Sequence, residues 1–344
     1  MDKKRLTKEI KRKGLELGFS KVGITTADDF TEFEAEIRSR PDYDLWVNTK
    51  KAFLGKGSKP RSFYPEAKSI VCAVYSFADI KYPEELEAYI ARVYLSRSYK
   101  PHEGSIHRLR FDAFSEFMES SGCNIYHTIG EIRIPDRMAC ARAGIITFGK
   151  NNFAYTDDDG SSIILYTFIV DRELEYDEPT IECKCPPKCR ACIDACPTKA
   201  ILSPGRMHPQ DCLIYNHCLD DRIPAKVMQN MGTNIHGCDI CQNVCPRNKK
   251  ILKKAFRKDA FLEEIKKDFD LEKILLMDEE YFKEVLYPIV FIYKLSPDII
   301  KRNAAIALGN TGDPSHIPAL EEAAKSQNPL IKDAAEWAIK NLKG

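Results

Sequence analysis

Cys185-Pro-Pro-Lys-Cys189-Arg-Ala-Cys192-Ile-Asp-Ala-Cys196-Pro197 is followed, after Cys212, by Cys238-Asp-Ile-Cys241-Gln-Asn-Val-Cys245-Pro246. Ten of the thirteen cysteines lie between Cys183 and Cys245. Three closely spaced thiolates grip one [4Fe–4S] cubane, and a fourth Cys standing before Pro reaches across to a second cubane. Applied here, that crossing assigns Cys185, Cys189, Cys192 and Cys245 to one cluster. Cys196, Cys212, Cys238 and Cys241 then hold the other. Two choices stay open. Cys185 and Cys189 are farther apart than the usual Cys-x-x-Cys, so Cys183 can replace Cys185, and Cys218 competes with Cys212. Zinc also takes Cys-x-x-Cys pairs, but it has no use for the Cys-Pro endings or the crossed fourth ligand. Such a frame moves single electrons.

Composition is that of an ordinary globular chain. Of 344 residues, 44% are hydrophobic and 30% charged, with a formal net charge of +1. This length exceeds a single typical core, so two or three domains are expected. Near-neutrality argues against a surface that coats polyanions wholesale. Neither of the best apolar runs, Ile163 to Val170 and Tyr287 to Leu295, approaches the ~20 residues that span a bilayer. Many thiols and an N-terminus without an apolar signal core imply the reducing cytoplasm.

Outward from the cysteines, residues 1–178 alternate helical and strand patterns. Leu6, Ile10, Leu15 and Leu17 form a helical apolar stripe closed by Gly18, and Lys21-Val-Gly-Ile-Thr reads as a strand. Ser69 to Phe77, Asn124 to Ile129 and Ile163 to Val170 supply further strands, with helices over Glu84–Tyr94 and Ile106–Glu119. An α/β or α+β domain with a central sheet follows. Residues 179–250 form a ferredoxin-like double-cluster domain of loops and short helices. Residues 251–344 read as helical, ending in Pro297–Gly309, Pro314–Ser326 and Pro329–Leu342. Ala304, Ala305, Ala307 and Leu308 recur in kind as Ala334, Ala335, Ala338 and Ile339, the mark of a HEAT-like helical repeat.

Several stretches resemble the epoxyqueuosine reductase family. They are Leu17-Gly-Phe-Ser-Lys-Val-Gly-Ile, Pro65-Glu-Ala-Lys-Ser-Ile-Val, Arg142-Ala-Gly-Ile-Ile-Thr-Phe-Gly-Lys-Asn, Gly237-Cys-Asp-Ile-Cys-Gln-Asn-Val-Cys-Pro-Arg-Asn and Arg302-Asn-Ala-Ala-Ile-Ala-Leu-Gly-Asn. The resemblance implies a reductase of transfer-RNA queuosine biosynthesis with two [4Fe–4S] clusters and a cobalamin on the N-terminal domain. It places Gly144, Gly149, Lys150 and Asn151 at the corrinoid-contacting loop, and it implies an external ferredoxin or flavodoxin as electron donor.

Departures fall on the substrate half. The family's proton-donating Asp should lie shortly before Asp136-Arg137, yet Glu131 is the only carboxylate between Gly130 and Ile132. Glu131, or else Asp136, is therefore the candidate acid. Thr147 stands where the corrinoid loop carries Trp, and Arg97 to His102 replaces an Asp-Tyr-His stretch. Those losses keep open a second reading, a corrinoid-binding iron–sulfur redox partner without epoxide chemistry. Arg247 to Lys258 holds seven basic residues and no acid, a candidate RNA-phosphate patch or a solvated face balanced by Glu263, Glu264, Asp268 and Asp270. His236, beside Gly237-Cys238, is placed to hydrogen-bond a cluster sulfide.

Overall fold

The computed structural model describes residues 2–40, 57–99, 105–127, 134–180, 182–290 and 296–344. Helices and strands are mixed, and the chain divides into two compact units: residues 1–77 with 100–187, and residues 78–99 with 188–344.

The first unit is organised by a sheet of four strands: β1 (Lys21–Thr26), β2 (Ser69–Ser76), β3 (Ile125–His127) and β4 (Ile163–Val170). Their order is β1-β2-β4-β3, with every neighbouring pair antiparallel. Helices α1 (Lys3–Glu16) and α2 (Ile106–Ser120) cover one face, where Phe19, Phe111 and Phe114 pack on Tyr166 and Phe168. Helix α3 (Asp136–Arg142) covers the other, over Ile70, Cys72, Val74 and Ile169. Both faces being covered, β2 is a nearly continuous apolar run even though its partners are antiparallel. In α1 the buried stripe is Leu6, Ile10 and Gly14, and Leu15 turns outward at 53% exposure. Gly14 belongs to the stripe because a Cβ there would meet Val22 Cγ2 at 2.6 Å.

In the second unit, the expected helix over Glu84–Tyr94 is instead two single turns, Glu84–Glu87 and Arg92–Leu95. The chain breaks between them because the Ala91 N–H donates to the His236 carbonyl at 2.9 Å, a partner outside any helix. The cysteine region contributes the short helices α4 (Ala191–Ala195), α5 (Leu213–His217) and α6 (Ile240–Asn243). Downstream, α7 (Leu271–Leu276) and α8 (Pro297–Gly309) pack together, and α9 (Pro329–Lys343) lies along α8. Gly309 permits that approach, since a Cβ would sit 2.6 Å from Ala338 Cβ. The expected helix Pro314–Ser326 opens as a 3₁₀ turn, Pro314–His316, and is α-helical over Ile317–Ala323. No described helix is long and apolar enough to cross a membrane.

Candidate functional site

Around the second unit's cysteines, α4 packs on α6, and Cys192 and Ile193 of α4 cluster with Ile201, with Cys196 and Cys241 against them. Cys212 is the N-cap residue of α5, with the Ile214 and Tyr215 N–H groups of the first turn lowering its thiol pKa. The Cys238 sulfur receives the Ile240 N–H in the same way. Such N–H groups favour thiolate. Burial wins over them in the bare chain: it holds the Cys212 thiol above its usual range and pushes Cys238 up to about 12. Neighbouring thiols add to both shifts, Cys196 acting on Cys212, and Cys212 and Cys196 on Cys238. Partly buried sulfurs that raise one another's pKa are a set that iron would relieve of its protons.

Single-ion sites ask for something tighter. Among the described residues, no three His, Cys, Asp or Glu side chains converge on a point for one metal ion. A cubane spreads its thiolates over four separate irons.

The loops are braced by buried ionic contacts. Asp239, between Cys238 and the start of α6, accepts from the Arg92 backbone N–H at 2.8 Å and from Gln242 Nε2 at 2.7 Å. Burial raises the Asp239 carboxyl, and the Arg92 guanidinium pulls it back. His236 and His217 are both fully buried and held neutral, each pulled down to about 3 by burial first. The His236 ring lies 4.1 Å from that of Tyr94. The sequence singles out no role for His217, nor for Arg302 and Asn303 beyond their place in a family-like stretch; the side chains of the latter two donate to the carbonyls of Asn216, His217 and Ile235. A charged residue inside an alanine-rich helix was the available signal.

In the first unit, Thr147–Phe148 pairs with Ala154–Tyr155 as a hairpin. Its turn holds Gly149, Lys150 and Asn151. A Cβ on Gly149 would lie 2.4 Å from Tyr155 Cε2, and Asn151 Nδ2 donates to Tyr155 Oη at 2.9 Å. Lys150 Nζ donates to the carbonyls of Pro186 at 3.0 Å and Pro187 at 2.7 Å, directly after Cys185. Gly144 has φ +71, and a Cβ there would meet the Glu178 carbonyl at 2.3 Å. Cys183 is exposed, with its backbone bridged to Phe148. Asp136 opens α3 and accepts from Thr167 Oγ1 at 2.7 Å. Glu131 lies outside the described residues. Cys72, Cys123 and Cys140 are buried, away from the frame in sequence.

Residues 184–248 match the model of the 4Fe-4S double cluster binding domain, a span that takes in Cys185 and leaves Cys183 out. This defines an iron–sulfur protein of the double-cluster class. The epoxyqueuosine reductase of Lactococcus garvieae is 29% identical over 98% of this chain and 97% of its own. A crystal structure of epoxyqueuosine reductase with an epoxyqueuosine-modified tRNA-Tyr stem loop superposes with TM-score 0.81 and 26% identity, covering 99% of this chain and 91% of the other. The Bacillus subtilis epoxyqueuosine reductase, described with its catalytic Asp loop swung out of the active site, gives TM-score 0.80 and 28% identity over 98% and 90%. The chain is thus a homologue of the epoxyqueuosine reductases, and like them an oxidoreductase.

Proposed function

We propose that this chain is a cytoplasmic reductase that removes the epoxide oxygen of epoxyqueuosine in transfer RNA, fed by two [4Fe–4S] clusters. The observation that carries the reading is extent: similarity to epoxyqueuosine reductases runs through both units, far beyond the cysteine frame that any ferredoxin-like protein shares. In the reaction a pair of electrons and a pair of protons enter, the epoxide oxygen leaves as water, and the carbon–carbon double bond is restored. Electrons come singly from an external low-potential ferredoxin or flavodoxin. We assign Cys185, Cys189, Cys192 and Cys245 to one cluster and Cys196, Cys212, Cys238 and Cys241 to the other. The mutual influence of the Cys196, Cys212 and Cys238 thiols supports the second set.

Proton delivery falls to Glu131. Asp136 is less suited, because its carboxylate is engaged by the buried Thr167 hydroxyl at 2.7 Å. The basic stretch supplies the RNA contact. Lys249, Lys250, Lys253 and Lys254 are exposed and make no ion pair among the described residues, and Phe256 beside them is 76% exposed. Cations for phosphates next to an uncovered aromatic ring for a base are what an unpaired RNA loop uses.

A corrinoid enters this reading through the resemblance, and when bound it would supply a strong metal-centred nucleophile. We assign Gly144, Gly149, Lys150 and Asn151 to its loop, where each already has a structural partner. Gly149 and Gly144 are required by Tyr155 and the Glu178 carbonyl, and Lys150 and Asn151 are engaged by the protein itself. The HEAT-like character of the C-terminal helices likewise belongs to the proposal; the close α8–α9 packing supports it.

Anaerobically reconstituted protein, analysed for iron, sulfide and corrinoid after incubation with hydroxocobalamin, should be assayed on epoxyqueuosine-containing transfer RNA with a low-potential reductant. Queuosine formation is the expected outcome. Absence of product from protein with both clusters and bound corrinoid would overturn the enzyme reading.

A further inference from the structure

A cation inside a protein needs a counter-charge, and no ion pair supplies one to Arg302; Asp220 and Asp221 act on it only from beyond pairing distance. It is 1% exposed on α8, and no carboxylate pairs with it among the described residues. Its Nη1 donates to the carbonyls of Leu219 at 2.7 Å and Asp221 at 2.5 Å, and its Nη2 to that of Asn216 at 2.9 Å. Carbonyls orient a guanidinium but do not neutralise it. Burial pulls the Arg302 pKa down to about 10, against the more distant pull of Asp220, Cys218 and Asp221. His217, the next buried group, is neutral and offers no charge.

The carbonyls that hold this cation lie on the segment directly after Cys212, and the Cys218 thiol on that segment also acts on it. Asn216, which accepts from Arg302, donates from Nδ2 to the Cys212 carbonyl at 3.0 Å. Asn303, the next residue on α8, donates to His217 at 3.0 Å and to Ile235 at 2.9 Å, just ahead of Cys238. At the end of the same helix, Asn310 donates to Met228 at 2.8 Å and Gly232 at 3.2 Å. One helix therefore ties down the irregular segment joining the Cys212 and Cys238 arms. An iron–sulfur core is less positive than four thiolates are negative in either redox state, so the cluster is an anion whose charge grows on reduction.

We propose that Arg302 is the internal counter-cation of the cluster carried by Cys196, Cys212, Cys238 and Cys241, raising its reduction potential, while Asn303 fixes the spacing of its two arms. This rests on the assignment of those cysteines to a cluster. Because reduction adds negative charge, a nearby buried cation stabilises the reduced form more than the oxidised one. Arg302 is a positioning residue in this sense, and it acts on the electron relay rather than on substrate.

The test uses anaerobic holoprotein, with iron and sulfide analysis and an EPR-monitored redox titration of both clusters. Cys212→Ser identifies which signal belongs to the second cluster. Arg302→Met should lower the potential of that cluster and leave the other in place, with Arg302→Lys giving a smaller shift of the same sign. Arg222→Gln is the control, since Arg222 is 73% exposed and pairs with Asp333 at 2.6 Å; both potentials should stay put. Asn303→Ala keeps the cation but removes the oxygen that accepts from Arg302 Nε at 3.1 Å and Nη2 at 2.8 Å, and should lose iron from the second cluster only. Unmoved potentials in Arg302→Met with full iron would overturn the proposal; if that variant holds no iron, an unmoved potential in Arg302→Lys does so. Wild-type protein lacking the second cluster's iron would instead overturn the cluster assignment itself.

Discussion

Arg92 Nε stands 3.3 Å from Asp239 Oδ2, with both side chains largely buried at 16% and 13% exposure. Arg92 also pairs with Glu87 at 3.5 Å and donates from Nη2 to Asn243 Oδ1 at the end of α6. One side chain thus grips both ends of the segment that carries Cys238 and Cys241. Removing a single partner of a buried pair leaves the other charge stranded, at a cost of about 3–5 kcal/mol. Arg92→Met should lower the stability of the holoprotein by that order in denaturant unfolding, and reduce its iron. Arg92→Met with unchanged midpoint and iron would show that the pair contributes nothing.

Lys150 makes a smaller, more local contribution. Its ammonium bridges the Pro186 and Pro187 carbonyls behind Cys185. It lies in the open, so its value is discounted by solvent to about 1 kcal/mol, or roughly five-fold in an equilibrium constant. Lys150→Met should release iron to a chelator several-fold faster than wild type, with secondary structure by circular dichroism unchanged. Equal release rates would confine Lys150 to the surface.

Much of this arrangement is legible in the residues alone. The bounds of β4 and α8 fall where the β-branched run and the Pro–Gly punctuation put them, because propensity and packing agree there. The cysteine frame reads directly, since ligand spacing is local. What is lost is whatever depends on partners distant in sequence. Glu84 to Tyr94 carries a helical pattern, but Ala91 is claimed by the His236 carbonyl. Leu15 fits a helical stripe, yet only the approach of Val22 to Gly14 reveals which face is inward. Arg302 and Asn303 read as polar positions on a repeat helix, and nothing nearby in the chain announces that carbonyls some eighty residues earlier await them.

Asp136 and Thr167 give a prediction that separates support from chemistry. Thr167 is 1% exposed on β4, and its hydroxyl finds the Asp136 carboxylate across the face that α3 covers. Thr167→Val takes away that donor and should cost about 1–3 kcal/mol in unfolding free energy. Asp136→Asn should likewise cost stability while sparing turnover of the folded fraction to within a few-fold, whereas Glu131→Gln should abolish turnover. A reversed pattern, with Asp136→Asn dead and Glu131→Gln active, would transfer the acid role to Asp136.

The basic stretch provides the last and most quantitative check. Lys258 and Arg257 have acidic partners, Glu263 at 3.9 Å and Asp79 at 2.8 Å. Lys249, Lys250, Lys253 and Lys254 do not, among the described residues. Each phosphate contact adds close to one counterion to the salt dependence of binding. Replacing Lys253 and Lys254 by Gln should weaken binding of a transfer-RNA anticodon stem loop at low salt and make the slope of log affinity against log salt shallower by about 1–2. Phe256→Ala should weaken binding by about 1–3 kcal/mol without moving that slope, because stacking is not electrostatic. Fluorescence anisotropy across a salt series reads both quantities at once, and a Phe256→Ala variant that alters only the slope would mean the ring meets no base.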